Sequence, residues 1–250
     1  MKRFLAAAAL SLALLAPCGA AVAQDIPQVS LQVTAGGPQA PGRLVPAVKI
    51  LLLLTVLSIA PALLVAVTSF TRIVIVLSFV RQAIGSQGAP PANVITTLAL
   101  LLTFVVMAPV AQRVNDEAFT PYSEDRISEM DALDRARLVV SDFLLRQTRE
   151  DDIGLFYELT HTERPARAED VKFHLLVPAF MISELRTGFE MGFLLFLPFV
   201  LIDLVTASVL TSMGMVMMPP TTISTPLKLL LFVSVDGWAL LTRSLVASFS

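Results

Sequence analysis

The stretch MGFLLFLPFVLIDLVTASVLTSMGMVMM, residues 191–218, contains only one charged side chain, that of Asp203. An ionised group inside so apolar a run is costly at bilayer depth, and it ordinarily faces a protein interior, a partner or an aqueous path. The stretch therefore predicts long apolar helices that pack on protein. Its end is unusual, because methionines 213, 215, 217 and 218 gather just before the prolines at 219 and 220.

The composition of the whole chain agrees with a membrane or membrane-assembly protein. Of the 250 residues, 55% are hydrophobic and 15% are charged, and the mean hydropathy is +0.76, which is too apolar for an ordinary soluble domain. The formal net charge is -2. A chain without a basic field cannot neutralise phosphates, so nucleic acid is excluded as a partner.

The N-terminal residues predict a cleavable segment. A short basic start, an apolar run and the small-x-small site Ala21–Ala23 are typical of a secretory signal peptide over residues 1–23. The alternative of a lipoprotein anchor at Cys18 remains, although Pro17 disfavours it. Residues 24–47 lack periodicity and predict a flexible exported arm. If cleavage follows Ala23, the mature chain has no cysteine.

Residues 48–112 predict a first hydrophobic helical hairpin. The run ILLLLTVLSIAPALLVAVTSFT, residues 50–71, has no charge and is long enough to cross a bilayer, with a kink expected at Pro61. A second uncharged run, NVITTLALLLTFVVMAPVAQ, covers residues 93–112. Between them lie Arg72, Arg81 and the turn-like GSQGAPP. We expect the two arginines in or beside a connection on the cytoplasmic side.

Residues 113–185 predict an acidic helical region exposed to solvent on the outer side of the membrane. They hold 16 of the 20 acidic residues and 9 of the 18 basic ones. Residues 131–150 place one apolar face at 3.6-residue spacing, which indicates an amphipathic helix. The face comprises Leu133, Ala136, Val140, Phe143 and Leu144, and Phe156 continues it. Such a face forms the core of the region itself, or Phe143 and Phe156 contact a neighbouring subunit.

Residues 186–250 predict a second hydrophobic hairpin that contains the methionine-rich segment. On a continuing helix, Met213 and Met217 would share one face, and Met215 and Met218 another, until the prolines stop the helix. Methionine commonly fills irregular core space. A Cu(I) site is a second interpretation, but residues 24–47 contain no further soft ligand. A deformable apolar seal in a constriction fits better, because these side chains are unbranched and flexible.

The sequence contains no pattern of a known catalytic site. His161 and His174 are too far apart in sequence for a metal-binding pair, and nucleotide-binding or hydrolase motifs are absent. Glu184 and Glu190 are six residues apart, so they point in different directions on a helix and do not form a carboxylate pair. We therefore expect no enzyme and no cofactor.

Four stretches resemble the FliP family of flagellar biosynthetic proteins, subunits of the bacterial type III export gate. The stretches are RIVIVLSFVRQAIG (72–85), FLLRQTRE (143–150), PAFMISELRTGFEMGFLLFLPFVLIDLV (178–205) and SVLTSMGMVMMPPTTISTPLKLLLFVSVDGWALL (208–241), and the resemblance as a whole covers nearly all of residues 45–250. The resemblance implies an all-α fold of long kinked helices. It also implies a multi-subunit assembly in the inner membrane at the flagellar basal body, raised toward the periplasm.

The same resemblance implies partners and site residues. Five copies of the chain would surround a pore with FliQ-like and FliR-like subunits, beside FlhA-like and FlhB-like components, and would pass unfolded flagellar proteins outward. Met215, Met217 and Met218 would form the pore gasket, with Val216 where the family often has another methionine. Glu184 and Lys228 would form an ion pair between subunits, since each reads as a lone charge beside an apolar segment.

A small-solute or metal-ion membrane transporter is the alternative function. A carrier would need a self-contained binding site with satisfied polar groups near the middle of the membrane. Asp203 and Asp236 are the only candidate residues for such a site.

Overall fold

A computed structural model describes residues 44–85, 90–165, 167, 170–215 and 217–249. The predicted signal peptide and residues 24–43 of the predicted arm lie outside this range. The chain divides into Met1–Val48 and a compact unit, Lys49–Ser250. Of the first part, only residues 44–48 are described, and they belong to the first helix.

Every regular element of the described residues is a helix, which confirms the all-α prediction. The helices are α1 Leu44–Ala66, α2 Phe70–Ile84, α3 Ala92–Val114, α4 Thr120–Ser123, α5 Glu129–Gln147, α6 Glu150–Leu159, α7 Phe173–Ser212, α8 Thr221–Ser234 and α9 Gly237–Ala247. A π-helical segment, Asn115–Phe119, joins α3 to α4. The predicted boundaries at residues 112 and 185 therefore fall inside helices, because charge changes along α3 and α7 without ending them.

The sequence predicted one helix for the first apolar run, but the structure has two. Helix α1 ends at Ala66, and α2 begins at Phe70 with a bend of 62° between the two axes. Arg72 and Arg81 lie within α2, in its first and last turns, and therefore beside the connections that flank this helix. The break contains neither glycine nor proline, only Val67, Thr68 and Ser69. The bend turns Arg72 into the interior, where it is 3% exposed.

Helix α7 organises the compact unit. Its forty residues extend over about 60 Å at the usual helical rise. Its N-terminal third packs in one core with α5 and α6, around Leu144, Leu176 and Phe180. Its later part packs through Phe199 in another core with α2, α3, α8 and α9. We call α5 and α6 the insertion, the first core the insertion core, and the second the α8–α9 core.

Glycines on α7 allow α2 to approach closely. A methyl group added at Gly192 would lie 2.6 Å from the Phe79 ring, and one at Gly188 would lie 3.3 Å from Ile75. The Phe79 ring also meets Phe189 edge to face, with centroids 5.6 Å apart. Small residues at a helix crossing let backbones come together and leave space for such rings. This contact fixes the position of α2, and hence of Arg72, on α7.

The predicted amphipathic helix is present, but only part of its predicted apolar face is buried. Helix α5 begins after Ser128, whose side chain caps the helix by accepting a hydrogen bond from the Asp131 amide at 3.2 Å. Phe143 and Leu144 are buried as expected, together with Val139. Leu133 is 65% exposed, since the insertion core reaches only the C-terminal half of α5.

Candidate functional site

The methionine-rich segment is a turn and not a helix. Helix α7 ends at Ser212, and Gly214 adopts a left-handed conformation with φ 76°. The Met215 amide donates to the Leu210 carbonyl at 2.9 Å, and the Gly214 amide donates to Thr211 at 3.0 Å. This pair of bonds is the Schellman arrangement that closes a helix. The expectation that Met213 and Met217 share a helical face is therefore wrong.

The turn presents its sulfur-bearing side chains outward. Met217 is 99% exposed and Met213 is 69% exposed, while Met218 is 39% exposed. Met215 is half-buried, beside the bonds that close the helix. Val216 lies outside the described residues. Several apolar side chains exposed side by side mark a surface that contacts another molecule or lipid. We call residues 213–218 the methionine turn.

The connection after the turn is short and rigidly defined. Pro219 and Pro220 follow at once, and α8 begins at Thr221. The backbone amides of Ile223 and Ser224 donate hydrogen bonds to the Pro220 carbonyl. Proline fixes its own φ near the helical value, so it is well suited to the start of a helix. The methionine turn therefore sits between the ends of two well-formed helices.

Glu184 lies in a buried ion pair with Arg72. The Arg72 Nε donates to Glu184 Oε2 at 3.1 Å, and Nη2 donates to Glu184 Oε1. The side chains are 4% and 0% exposed. Both charges are thus removed from water, and each depends on the other for compensation. Glu184 is therefore not a lone charge, contrary to the sequence interpretation.

Lys228 is also paired within the chain. Its Nζ donates to Asp203 Oδ2 at 2.5 Å, which links α8 to α7, and Lys228 is 5% exposed. The other carboxylate oxygen, Asp203 Oδ1, is buried without a hydrogen-bond partner among the described residues, as is Ser224 Oγ. The Asp203 side chain is 39% exposed, and it faces protein through its contact with Lys228 on α8. Lys228, like Glu184, is not a lone charge in the chain.

The structure of one chain does not bring Glu184 and Lys228 together. Each has an internal partner, so their pairing between subunits stays a prediction. Sequence reasoning missed that Arg72 lies in the interior, although a buried carboxylate requires a cation. It also missed Gln147 and Phe249, which contact Arg72. No local pattern marks these contacts, because they join residues far apart in the chain.

Phe143 and Phe156 belong to the insertion core. Phe143 is 5% exposed, and its ring centroid lies 6.1 Å from that of Phe180. Phe156 is half-buried and packs against the same cluster. For Phe143, the structure therefore supports the interpretation that this face forms an internal core. Contact with a neighbouring subunit stays a prediction, with Phe156 offering the larger accessible surface.

A second polar cluster fastens the insertion to α7. The Arg149 amide donates to Ser183 Oγ at 3.0 Å, and Ser183 Oγ donates to Asp152 Oδ2 at 2.5 Å. The Arg149 guanidinium bonds to Glu190 at 2.6 Å, and this hydrogen bond raises the pKa of Arg149 above its usual value. Glu184 and Glu190 therefore bind different partners, as their spacing predicted.

The described residues offer no metal centre, since no three His, Cys, Asp or Glu side chains among them could hold an ion together. An open groove at the base of the methionine turn lies between α7 and α8. It is lined by Val200, Asp203, Leu204, Ala207, Pro220 and Thr221. Its lining is mostly apolar, and its one carboxylate is already bound to Lys228.

Length and polarity allow membrane spans. Two helical segments are long and apolar enough, Ala92–Ser123 and Phe173–Ser212. The number of spans rises to four if each of two bent helix pairs is one span. These pairs are Ile50–Ala66 with Phe70–Ile84, and Thr221–Ser234 with Gly237–Ala247. The second of these pairs bends by 64°.

Comparison with known proteins gives one consistent result. The family model described as the FliP family matches residues 53–245. A flagellar biosynthetic protein FliP of Bacillus subtilis (strain 168) is 50% identical over 202 residues, which is 81% of this chain and 91% of the relative. The protein of the same name from Pectobacterium carotovorum subsp. carotovorum is 53% identical over 81% of this chain and 78% of its own length. That of Rhizobium meliloti (strain 1021) is 42% identical over the full length of both chains.

Proposed function

The chain belongs to the FliP family, and from that premise we propose that it is a core subunit of the flagellar type III protein export gate. In this role it forms part of a pore that passes unfolded flagellar proteins outward. The observation that carries the proposal is the methionine turn, which exposes apolar sulfur-bearing side chains at the end of a forty-residue apolar helix. The matched family and its relatives do not support the small-solute transporter.

We propose that Met215, Met217 and Met218 form a gasket in the pore. Met217 makes almost no packing contact within the chain, since it is 99% exposed. The Schellman closure and the two prolines hold the backbone of the turn at both ends. A fixed backbone with flexible unbranched side chains can close around a variable object and fill the opening when it is empty. Turns from several copies would have to converge to do so.

The experiment replaces Met215, Met217 and Met218 with alanine in the assembled complex and measures ion conductance in vesicles. We expect the complex to assemble and small ions to leak, because alanine cannot fill the opening. Met130→Ala is the matched control, since Met130 is 69% exposed but lies on α5, away from the turn in sequence. Unchanged conductance in an intact complex would contradict the gasket.

As a member of its family, the chain functions in a flagellar export assembly and is associated with the membrane. We propose that its partners are other copies of itself, five in all, FliQ-like and FliR-like subunits, FlhA-like and FlhB-like components, and unfolded export substrates. The wide apolar surfaces of α1, α3 and α7 support partners or lipid around the compact unit. We place the assembly in the inner membrane at the basal body, largely toward the periplasm, with no catalytic role.

We also propose that Glu184 and Lys228 pair between neighbouring subunits. A carboxylate has about four lone-pair sites, and Arg72 fills two of those on Glu184. Glu184 could keep Arg72 and accept a second cation once the side chains that cover it move, since its side chain is 0% exposed in the single chain. Lys228 would leave or share Asp203, which lies at the surface with 39% of its side chain exposed. An exposed carboxylate loses a partner at far smaller cost than a buried one.

A further inference from the structure

Arg72 uses its whole hydrogen-bonding capacity inside the protein. Besides the two bonds to Glu184, its Nη2 donates to Gln147 Oε1 at 3.1 Å, and its Nη1 donates to the Ser248 carbonyl at 2.8 Å and to Ser248 Oγ at 3.2 Å. A guanidinium has five N–H donors in a fixed fork, so each donor has an acceptor. A lysine, with three donors and no planar fork, cannot reproduce this arrangement.

The acceptors belong to different parts of the chain. Arg72 lies on α2 and Glu184 on α7, Gln147 is the last residue of α5, and Ser248 follows α9. Gln147 also donates to the Phe249 carbonyl at 3.2 Å. One side chain therefore ties the segment after α9 to α2, to α7 and to the end of α5.

Phe249 adds an apolar contact at the same point. Its ring centroid lies 3.9 Å from the Arg72 Cζ, within the range of a cation–π contact. The same side chain packs against both the α8–α9 core and the insertion core. Phe249 is thus a wedge between the core that contains α8 and α9 and the core that contains α5 and α6. We call Arg72, Gln147, Glu184, Ser248 and Phe249 the latch.

The latch lies at one end of the helix pair that begins at the methionine turn. Helix α8 starts just after the turn, and α9 continues from it across a 64° bend to the latch. Lys228 and Asp203 hold α8 to α7 between these two ends. The orientation of the turn thus depends on how firmly both ends of the pair are held.

We propose that the latch couples the α5–α6 insertion to the α8–α9 pair, so that its opening lets this pair and the methionine turn move. Opening is all-or-none in character, because a buried guanidinium that loses one acceptor keeps an unsatisfied donor in the interior. The coupling itself rests on contacts within the chain. Only the consequence of moving the turn rests on the proposed export function.

The test measures hydrogen exchange by mass spectrometry in the purified complex of the full chain. Arg72→Lys removes the fork, and Phe249→Ala removes the wedge while leaving the five hydrogen bonds to form. Arg81→Lys is the matched control, since Arg81 is on the same helix and makes no ion pair among the described residues. The two latch variants serve as alternatives in case one does not accumulate.

We expect exchange in α8, α9 and the methionine turn to become faster by roughly tenfold or more in both latch variants, as for a local opening. The amides of α3 should stay as in the unaltered complex, and Arg81→Lys should change nothing. Two results would overturn the latch: unchanged exchange in α8 and α9, or equal acceleration in every helix, which indicates general destabilisation. Failure of the gasket proposal would appear as unchanged conductance in the methionine variant, whereas failure of the latch would appear as unchanged exchange in α8 and α9, so the two failures are distinguishable.

Discussion

Replacing Glu184 with alanine should be among the most destabilising single changes on α7. The substitution removes the carboxylate that compensates Arg72 and leaves the guanidinium in the interior, where it is 3% exposed. The remaining acceptors, Gln147 and Ser248, carry no formal charge. Breaking a buried pair by removing one partner costs about 3–5 kcal/mol, mostly because an uncompensated charge stays buried.

This cost translates into a measurable thermal shift. For a chain of this size, 1 kcal/mol corresponds to about 2–4 °C in Tm, so Glu184→Ala should lower the apparent Tm by roughly 6–20 °C. The assay is thermal denaturation of the purified protein in detergent, followed by the loss of the monodisperse fraction. Glu184→Gln retains one carbonyl acceptor and the side-chain volume, so its Tm should lie between that of the unaltered protein and that of Glu184→Ala.

The matched control is Glu190→Ala. Glu190 is on the same helix and also binds an arginine, Arg149 at 2.6 Å, but half of its side chain is exposed. Water can replace the lost partner of an exposed pair, so this change should lower the Tm by no more than about 4 °C. Equal Tm values for Glu184→Ala and Glu190→Ala would refute the reasoning, because they would mean that burial of the pair has no energetic consequence. A second check is Arg72→Met with Glu184→Leu, which should recover part of the loss.

Two further predictions concern the subunit contact and the helix crossing. Exchanging the charges at Glu184 and Lys228 should partly restore gate assembly that either single change impairs; native gel analysis of the complex measures this, and a double variant no better than the singles contradicts the pairing. Gly192→Ala should destabilise by about 1–3 kcal/mol, since its methyl group would overlap the Phe79 ring, while Gly154→Ala should not destabilise, and equal melting curves would show that the crossing can relax.

Several features of the fold follow from local sequence. Long uncharged runs and a low charged fraction were sufficient to predict apolar helices, because removing a peptide segment of that composition from water favours internally bonded backbone. Ser128 before an acidic first turn is a readable start signal for α5. The end of α7 was readable too, since Gly214 after an apolar run and prolines shortly beyond it form a typical stop signal. The prediction of a helix through Met218 gave this signal too little weight.

The bend between α1 and α2 had no comparable signal. Residues 67–69 are Val, Thr and Ser, which a helix tolerates, so nothing local requires a break. Just after the bend, Arg72 pairs with Glu184, which is 112 positions away in the chain. Leu133 illustrates the same limit, since periodicity places it on the apolar face but only packing decides how far along α5 the core extends.

The sequence by itself determined that this chain is an all-helical member of the FliP family with a methionine-rich connection, because composition, run length and long motifs are properties of neighbouring residues. Only the tertiary structure decided which charges meet. Arg72 and Glu184 are 112 positions apart, and Asp203 and Lys228 are 25 apart. Whether an ionised side chain is compensated depends on burial and on distances of a few ångströms in space, and no periodicity along the chain encodes either quantity.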